Sequence, residues 1–416
     1  MIDNLRWLLL GLTGFLFVAD LLHSLFYLPC ADASEHDATQ TLQHPNNPNT
    51  SPDSMPHWVY YTCFTTFFAA MAAALLAPNL PLMWVAVEFT TLVSAPLIAY
   101  HRTRGALEAM WKYLLICSIG IGLALFGTML VMHAQTTGNA MWYKAGFAFI
   151  LAGYGTKTGL APFHTWLPDA HSEAPAPVSA LLSGALLNCS FFAIVSFRQV
   201  MPNEIAGFCD TAMIVFGVLS VATAAVFMVR QTDFKRLLAY SSVEHMGLIV
   251  TLYALVNRQE RFEQFLVLAL FTHIVFHSLT KTMLFQTAGN LLLAFRTRTI
   301  ATVQGLGVSM KGHAALWIVG FLFICGMPPS VLFLTELGLV VAAPIGLAAG
   351  VLGLLFVVFA AMMKIGLSMT MGEPVVKPSP LPKRMLIVPG FLFAVLIASG
   401  LFFCTLAALA VQTGGL

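Results

Sequence analysis

Long apolar stretches follow one another along almost the whole chain. Short polar segments rich in charge, glycine or proline separate them. A stretch of about 20 apolar residues spans a bilayer as an α-helix, whereas membrane β-strands are shorter and alternate apolar with polar residues. The pattern therefore predicts about twelve transmembrane helices, at 7–28, 57–77, 81–100, 112–134, 142–163, 176–200, 207–230, 236–255, 264–292, 313–334, 344–371 and 385–411.

Composition supports a membrane location. Of the 416 residues 58% are hydrophobic and only 9% are charged, whereas a soluble domain carries about 25% charged residues. A soluble fold would have too little charge to cover its surface. We therefore predict an all-α polytopic protein of the cell inner membrane, in contact with the lipid bilayer. The formal net charge of +2 argues against a nucleic-acid partner.

The distribution of lysine and arginine predicts the orientation. The N-terminal stretch lacks the basic start of a signal peptide, and its apolar part runs about 22 residues, so we interpret it as a membrane helix. If the N-terminus lies outside, the loops with most of the lysines and arginines face the cytoplasm, as the positive-inside rule requires. The loop around His164–Glu173 then faces the cytoplasm too.

Two predicted helices are interrupted in a similar way, each with a charged residue near a glycine and one or two prolines. Proline removes a backbone donor and frees a carbonyl, so each break leaves polar backbone deep in the membrane. Paired breaks in two halves indicate an inverted-repeat transporter with sites near the midplane. The segments are GTKTGLAP (155–162), with Lys157, Gly159 and Pro162, and CGMPPSVLFLTE (325–336), with Gly326, Pro328, Pro329 and Glu336.

The breaks suggest a domain organisation built on two five-helix repeats. In it, Glu88 and Glu244 lie in the second helix of each repeat, and Lys157 and Glu336 in the fourth. The predicted units are an N-terminal helix (1–30), a polar linker (31–56), a first repeat (57–200), a second repeat (207–371) and a C-terminal helix (385–416).

Ionisable residues recur inside the apolar stretches. Each costs about 2.5–3.5 kcal/mol at a helix centre, so they should face one another or water inside the bundle. Such residues are functional candidates, and static ion pairs that fix helix register are the alternative. They are Glu88, Lys157, Glu244, Lys281, Glu336 and Lys364, with Asp20, His245, His273 and His277 beside them.

Three of these residues share one helical stripe. His273, His277 and Lys281 are spaced by four residues, and each step of four turns a helix by only about 40°. The stripe can pass protons, because histidine titrates near neutrality and burial disfavours the charged form of lysine. A metal site is disfavoured, because HIVFH lacks the glutamate of HExxH and an evident third ligand.

No motif predicts a cofactor or a catalytic centre. The seven cysteines are scattered and form no CxxC, so iron–sulfur and zinc sites have no support. The chain also lacks a GxGxxG after a strand and a Walker sequence. We therefore expect no cofactor, no metal and no redox chemistry of its own.

The segment HTWLPDAHSEAPAP that follows the first break is interpreted as a stiff cytoplasmic turn. Four prolines restrict the backbone over 161–177. A metal site would need His164, Asp169, His171 and Glu173 to converge, which we do not expect. Proton uptake from the cytoplasm by His164, His171 and Glu173 is the functional hypothesis for this turn.

Four longer motifs, spread over about residues 57–411, resemble one family. The chain is similar to the proton-translocating, antiporter-like membrane subunits of respiratory complex I, Mrp antiporters and membrane-bound hydrogenases, most of all to the hydrogenase-4 and formate hydrogenlyase branch. The motifs are GTKTGLAPFHTWLPDAHSEAPAPVSALLSGALLN (155–188), DFKRLLAYSSVEHMGLI (233–249), HIVFHSLTKTMLFQTAGNLLLAF (273–295) and GMPPSVLFLTEL (326–337).

The resemblance implies roles for individual residues. Glu88 matches the glutamate that pairs with the broken-helix lysine, here Lys157. Lys281, with His273 and His277, matches the central lysine and its relay, and Glu336 matches the terminal charged residue. Possible further members are Glu244, His245, Lys235 and Lys364. Two departures are expected: the family often has histidine where this chain has Ser183, and it has three helices before the first repeat where we predict one.

The leading hypothesis is a proton-translocating subunit of a larger redox-driven complex, with other membrane and redox subunits as partners. One alternative is a monovalent-cation/proton antiporter subunit, in which the same carboxylates bind Na+. Another is a membrane partner in uptake of CO2 or bicarbonate, which uses a soluble zinc-bearing protein. A structural remnant without transport is the last, and the retained intramembrane charges argue against it.

Overall fold

The computed structural model of the protein describes residues 1–42 and 54–412. Within these ranges the chain is helical apart from short connections, which follows from its long apolar runs. We label the helices α1 (Ile2–Leu42), α2 (His57–Leu76), α3 (Leu80–Ile98), α4 (Arg104–Thr137), α5 (Ala140–Thr158), α6 (Trp166–Glu173), α7 (Ala176–Gln199), α8 (Asn203–Met228), α9 (Phe234–Val256), α10 (Glu263–Phe295), α11 (Lys311–Ile324), α12 (Val331–Ala342), α13 (Ile345–Thr370) and α14 (Ile387–Gln412).

Ten helices of the described ranges are long and apolar enough to cross a membrane. The prediction of an all-helical polytopic membrane protein is therefore confirmed. The predicted total of about twelve would also need α5, which carries two lysines in 19 residues, and the pair of shorter helices α11 and α12. That count and the inverted repeat remain predictions.

The first helix is longer than predicted. The sequence pattern places the start of the polar linker at residue 31, but α1 continues to Leu42. The segment ADASEHDATQTL (31–42) contains no glycine or proline, and Pro45 is the first helix breaker after it. Low hydropathy is therefore a poor signal for the end of this helix. The rest of the predicted linker, over 43–53, lies outside the described residues.

Both Gly/Pro segments interrupt their helices as predicted, and the predicted continuous spans 142–163 and 313–334 are wrong. α5 ends at Thr158, and the chain becomes helical again at Trp166. In the second half, α11 ends at Ile324 and α12 begins at Val331. Gly159 and Gly326 have φ values of 80° and 59°, which glycine adopts without steric cost.

The buried centre of the bundle is formed by α7, α9 and α10. α10 packs against α1, α7, α9, α11, α12 and α14. Nearly every residue of α7 and α9 is buried. α13 lies at the periphery and exposes large apolar side chains such as Leu352 and Phe356. Polar residues of the central helices are thus kept away from lipid.

Candidate functional site

The first helix break places Lys157 in the last turn of α5, with no exposed surface. The Leu160 amide donates to Gly155 O at 2.8 Å, which closes the end of the helix. The Trp166 indole donates to Thr156 O at 2.8 Å, which satisfies a carbonyl that the break frees. The carboxyl end of a helix carries partial negative charge, so this position favours an ammonium group.

Lys157 reaches the α3 carboxylate through a hydroxyl group. Its ammonium donates to Thr91 Oγ1 at 2.8 Å and to the Tyr113 hydroxyl at 2.6 Å. Thr91 Oγ1 donates in turn to Glu88 Oε2 at 3.3 Å, and Ser118 donates to Glu88 Oε1 at 3.0 Å. The structure therefore joins Glu88 and Lys157 by a Thr91 bridge, where the sequence suggested a direct pair.

The second break holds Glu336 close to the polypeptide backbone. A Cβ atom at Gly326 would collide with the Glu336 carboxylate, so glycine is required here for contact as well as for its φ value. The carbonyl of Ile324, at the end of α11, accepts a hydrogen bond of 2.9 Å from His245 Nε2. Glu336 is 8% exposed and its Oε1 has no protein hydrogen-bond partner among the described residues.

Histidines connect the second break to the centre of α10. His245 Nδ1 and His273 Nε2 are 3.0 Å apart, and His273 Nδ1 lies 2.8 Å from Thr335 Oγ1, next to Glu336. The rings of His245 and His277 have centroids 5.1 Å apart. Since each ring can both give and accept a proton, the cluster forms a continuous route along one side of α10.

Lys281 lies at the centre of the molecule with no exposed surface. Its ammonium donates to Leu238 O at 2.7 Å and to the Ser241 hydroxyl. Ser242, the next residue, lies 2.8 Å from Ser183 in oxygen–oxygen distance. The serine pair joins α7 to α9 between the two lysines, at the position where the family often has histidine. Glu244, 2% exposed, lies on the same helix and interacts electrostatically with Lys281.

The three residues suggested for proton uptake have different surroundings. Glu173 forms an ion pair of 2.7 Å with Arg298 and lines a cavity of about 630 Å³ at the end of the bundle that carries the basic loops. His171 is fully buried, and its ring stacks on Phe285. Burial, then the charges of Lys281 and Lys235, lower the pKa of His171 to about 3. Its ring is therefore neutral at neutral pH.

His164 and the neighbouring Asp169 are directed elsewhere. His164 packs near Phe227 and Tyr240, and burial lowers its pKa. Asp169 forms ion pairs with Lys112 and Arg236. The acidic and histidine side chains of this turn are therefore held by separate partners.

Two residues proposed as further members of the path have other positions. Lys235 donates to Ser172 O and Ala174 O, at 3.0 and 2.7 Å, so it caps the end of α6. Lys364 is exposed on the outer side of α13. The expectation that every intramembrane charge faces the bundle interior is therefore wrong for Lys364, because the peripheral helix α13 presents that position outward.

Sequence reasoning missed the hydroxyl groups that connect the charged residues. Thr91, Tyr113, Ser241 and Thr335 are buried and bridge lysine or histidine to a neighbour. The available signal was spacing: Thr91 lies one turn after Glu88, and Thr335 directly precedes Glu336. Threonine and serine are common in membrane helices, so the type of residue alone did not single them out.

The fold and the site together define a polytopic helical membrane protein with two broken helices and a buried series of titratable side chains. Intramembrane groups of this kind form proton relays in pumps and transporters. The transmembrane family described as NADH:quinone oxidoreductase/Mrp antiporter matches residues 77–368. The chain belongs to this family.

Individual relatives agree with this assignment. A protein of Methylacidiphilum infernorum named as a hydrogenase-4 component F homolog is 36% identical over 82% of this chain and 76% of its own length. The large Na(+)/H(+) antiporter protein of Alkalihalophilus pseudofirmus is 30% identical, over 67% of this chain but 37% of its own length. The fold matches a chain of the Mrp complex from Dietzia with a TM-score of 0.81 and 18% identity, over 97% of this chain and 81% of that one.

Proposed function

We propose that the protein is the proton-translocating membrane subunit of a larger redox-driven complex related to hydrogenase-4 and complex I. The observation that carries the proposal is the buried series from Glu88 and Lys157, through the Ser183–Ser242 pair and Lys281, to the histidines and Glu336. The family and the hydrogenase-4 relative support the same function. The partners would be other membrane subunits and a redox module.

The Thr91 bridge supplies the coupling step. While Glu88 is charged, it stabilises the Lys157 ammonium through the shared hydroxyl group. When Glu88 is neutralised or drawn away, a buried ammonium loses its counter-charge, which costs several kcal/mol. The Lys157 proton then moves toward the serine pair and Lys281. The free energy comes from the redox partner, because this chain contributes only groups that hold and pass protons.

The second lysine passes its proton outward along α10. Lys281 and His277 are one helical turn apart, and His277 lies beside His245 and His273. Thr335 connects His273 with the position of Glu336. Glu336, at the second break, is the release group on the side opposite the basic loops.

A monovalent-cation/proton antiporter is the second candidate. It is favoured by the similarity to the Na(+)/H(+) antiporter protein of Alkalihalophilus pseudofirmus, and Glu88 and Glu336 would bind the cation. Oxygen ligands would be needed around it, and the Glu88 surroundings include Thr91 and Ser118.

The test is proton transport by the complex that co-purifies with this chain, reconstituted in proteoliposomes. Lys157→Met removes the charge with little change in length, so proton transport should be lost while the subunits still assemble. Lys364→Met is the matched control, because its side chain is exposed on α13. Unchanged transport in Lys157→Met would refute the proposal. Transport that requires Na+ on the opposite side would support the antiporter instead.

A further inference from the structure

A second polar stripe runs along α10, apart from the one that contains His273, His277 and Lys281. Ser278, Thr282, Gln286 and Asn290 are spaced by four residues and are fully buried, so they follow one side of the helix. The stripe passes beside Lys281 and climbs toward Phe295, at the end of the bundle with the basic loops. The proposed path does not use it.

Helix α1 supplies partners for this stripe. The Gln286 side chain donates to Asp20 Oδ1 at 2.9 Å, and His23 Nε2 donates to Asn290 Oδ1 at 3.2 Å. Asp20 and His23 have no exposed surface. We call Asp20, His23, Gln286 and Asn290 the α1–α10 ladder. Its two rungs lie in parallel register, one helical turn apart.

The ladder opens toward the cytoplasmic side. Asn290 also lies 3.4 Å from His313 and donates to Met385 O at 2.9 Å. The His23 ring lies 5.7 Å from the ring of Tyr27, which lines the cavity of about 630 Å³ together with Glu173. The positive-inside rule places this end in the cytoplasm.

The other end of the ladder reaches the level of Lys281. Thr282 follows Lys281 directly, and it lies one turn, or about 6 Å along the axis, before Gln286. A Cβ atom at Gly184 would be 2.8 Å from Thr282 Oγ1 and 3.0 Å from Leu16 Cδ1. Leu16 lies one turn before Asp20. Thr282 therefore continues the contact between α10 and α1 below the Asp20 rung.

The ladder contains titratable groups that packing does not explain. Among the described residues Asp20 has no ion-pair partner, and its Oδ2 has no protein hydrogen-bond partner. His23 Nδ1, Gln286 Oε1 and Thr282 Oγ1 share that property. A carboxyl group at this depth is costly, and an amide pair would hold the helices together without it. Buried polar atoms of this kind bind ordered water.

We propose that the α1–α10 ladder is a cytoplasmic proton inlet that reloads Lys281, an inference that rests on the proton-translocating function proposed above. A proton from water in the cavity binds His23, moves to the Asp20 carboxyl group, and passes by way of Thr282 to the Lys281 amine. Only N–H and O–H bonds form and break, so no oxidant or reductant is needed. Lys281 is then reloaded without passage through Lys157.

Asp20→Asn separates an inlet from a structural contact. Asparagine keeps the oxygen that accepts from Gln286, but it cannot carry a proton. In proteoliposomes of the intact complex, we expect proton transport to fall about tenfold or more in Asp20→Asn, and Asp20→Glu to recover most of it. Thr287→Val is the control, because the Thr287 hydroxyl is buried on α10 and donates only to Met283 O of its own helix.

Two further variants keep the result decisive. His23→Gln preserves an amide donor for Asn290 but cannot shuttle a proton, so it should also lose about tenfold of the transport, whether or not Asp20→Asn assembles. Lys281→Met shows whether this chain carries protons at all. If Lys281→Met abolishes transport while Asp20→Asn and His23→Gln stay within twofold of wild type, the inlet is refuted and the proposed function stands. If Lys281→Met has no effect, the proposed function itself fails.

Discussion

Thr91→Val is the sharpest perturbation of the first site. The substitution replaces the bridging hydroxyl by a methyl group of similar size. It leaves Glu88, Lys157 and Tyr113 unchanged. The Lys157 ammonium loses its 2.8 Å hydrogen bond to Thr91, and Glu88 loses its 3.3 Å donor. Lys157 keeps its bond to Tyr113, and Glu88 keeps its bond to Ser118.

The size of the effect follows from the bond to the ammonium group. A hydrogen bond to a charged group contributes about 1.5–3 kcal/mol, and each 1.36 kcal/mol changes a rate about tenfold. If the proton leaves Lys157 through this bridge, transport should therefore slow by about 10- to 150-fold. The 3.3 Å bond is too long to add much.

The assay is proton transport by the reconstituted complex, followed with a pH-sensitive dye inside the vesicles. Thr90→Val is the matched control. Thr90 is the preceding residue on α3 and is equally buried, but its hydroxyl donates only to Val87 O of the same helix. A Thr91→Val complex that transports protons as fast as the Thr90→Val complex would refute the bridge.

The remaining predictions concern the second break, the cap of α6 and the surface of α13. Gly326→Ala should lose most proton transport, because its Cβ atom would displace the Glu336 carboxylate and its φ of 59° is unfavourable for alanine; Gly350→Ala, whose Cβ would meet nothing within 4 Å, should transport normally. Lys235→Met should lower the thermal stability of the complex by about 1–3 kcal/mol, because two buried carbonyls lose their donor, and an unchanged melting temperature would contradict the cap. Lys364→Met should leave proton transport within twofold of wild type, and a tenfold loss would return Lys364 to the path.

Much of the fold could be predicted because the bilayer restricts it. Apolar runs located the helices, and the Gly/Pro segments located both breaks, since glycine and proline act on the local backbone. The end of α1 could not be placed, because helix propensity continued beyond the apolar run. The division of 313–334 into α11 and α12 was implicit in CGMPPS, but hydropathy averaged over it.

The site was predictable in its charges and less so in its connections. Lys157, Lys281 and the histidines stand out because an ionisable group in an apolar run is expensive. Whether such a residue faces inward depends on which helices are peripheral, and this is why Lys364 was misplaced. The Thr91 bridge and the pairing of Asp20 with Gln286 depend on contacts between distant segments, which no local pattern shows.

The most direct test of the account is the number of protons moved per redox turnover of the reconstituted complex with Lys281→Met. Lys281 is the one buried lysine that both the Lys157 route and the α1–α10 ladder are proposed to supply. The account predicts that the proton count per turnover falls in the variant while the isolated redox module, assayed with a soluble electron acceptor, keeps its activity. An unchanged number of protons per turnover in Lys281→Met would contradict it.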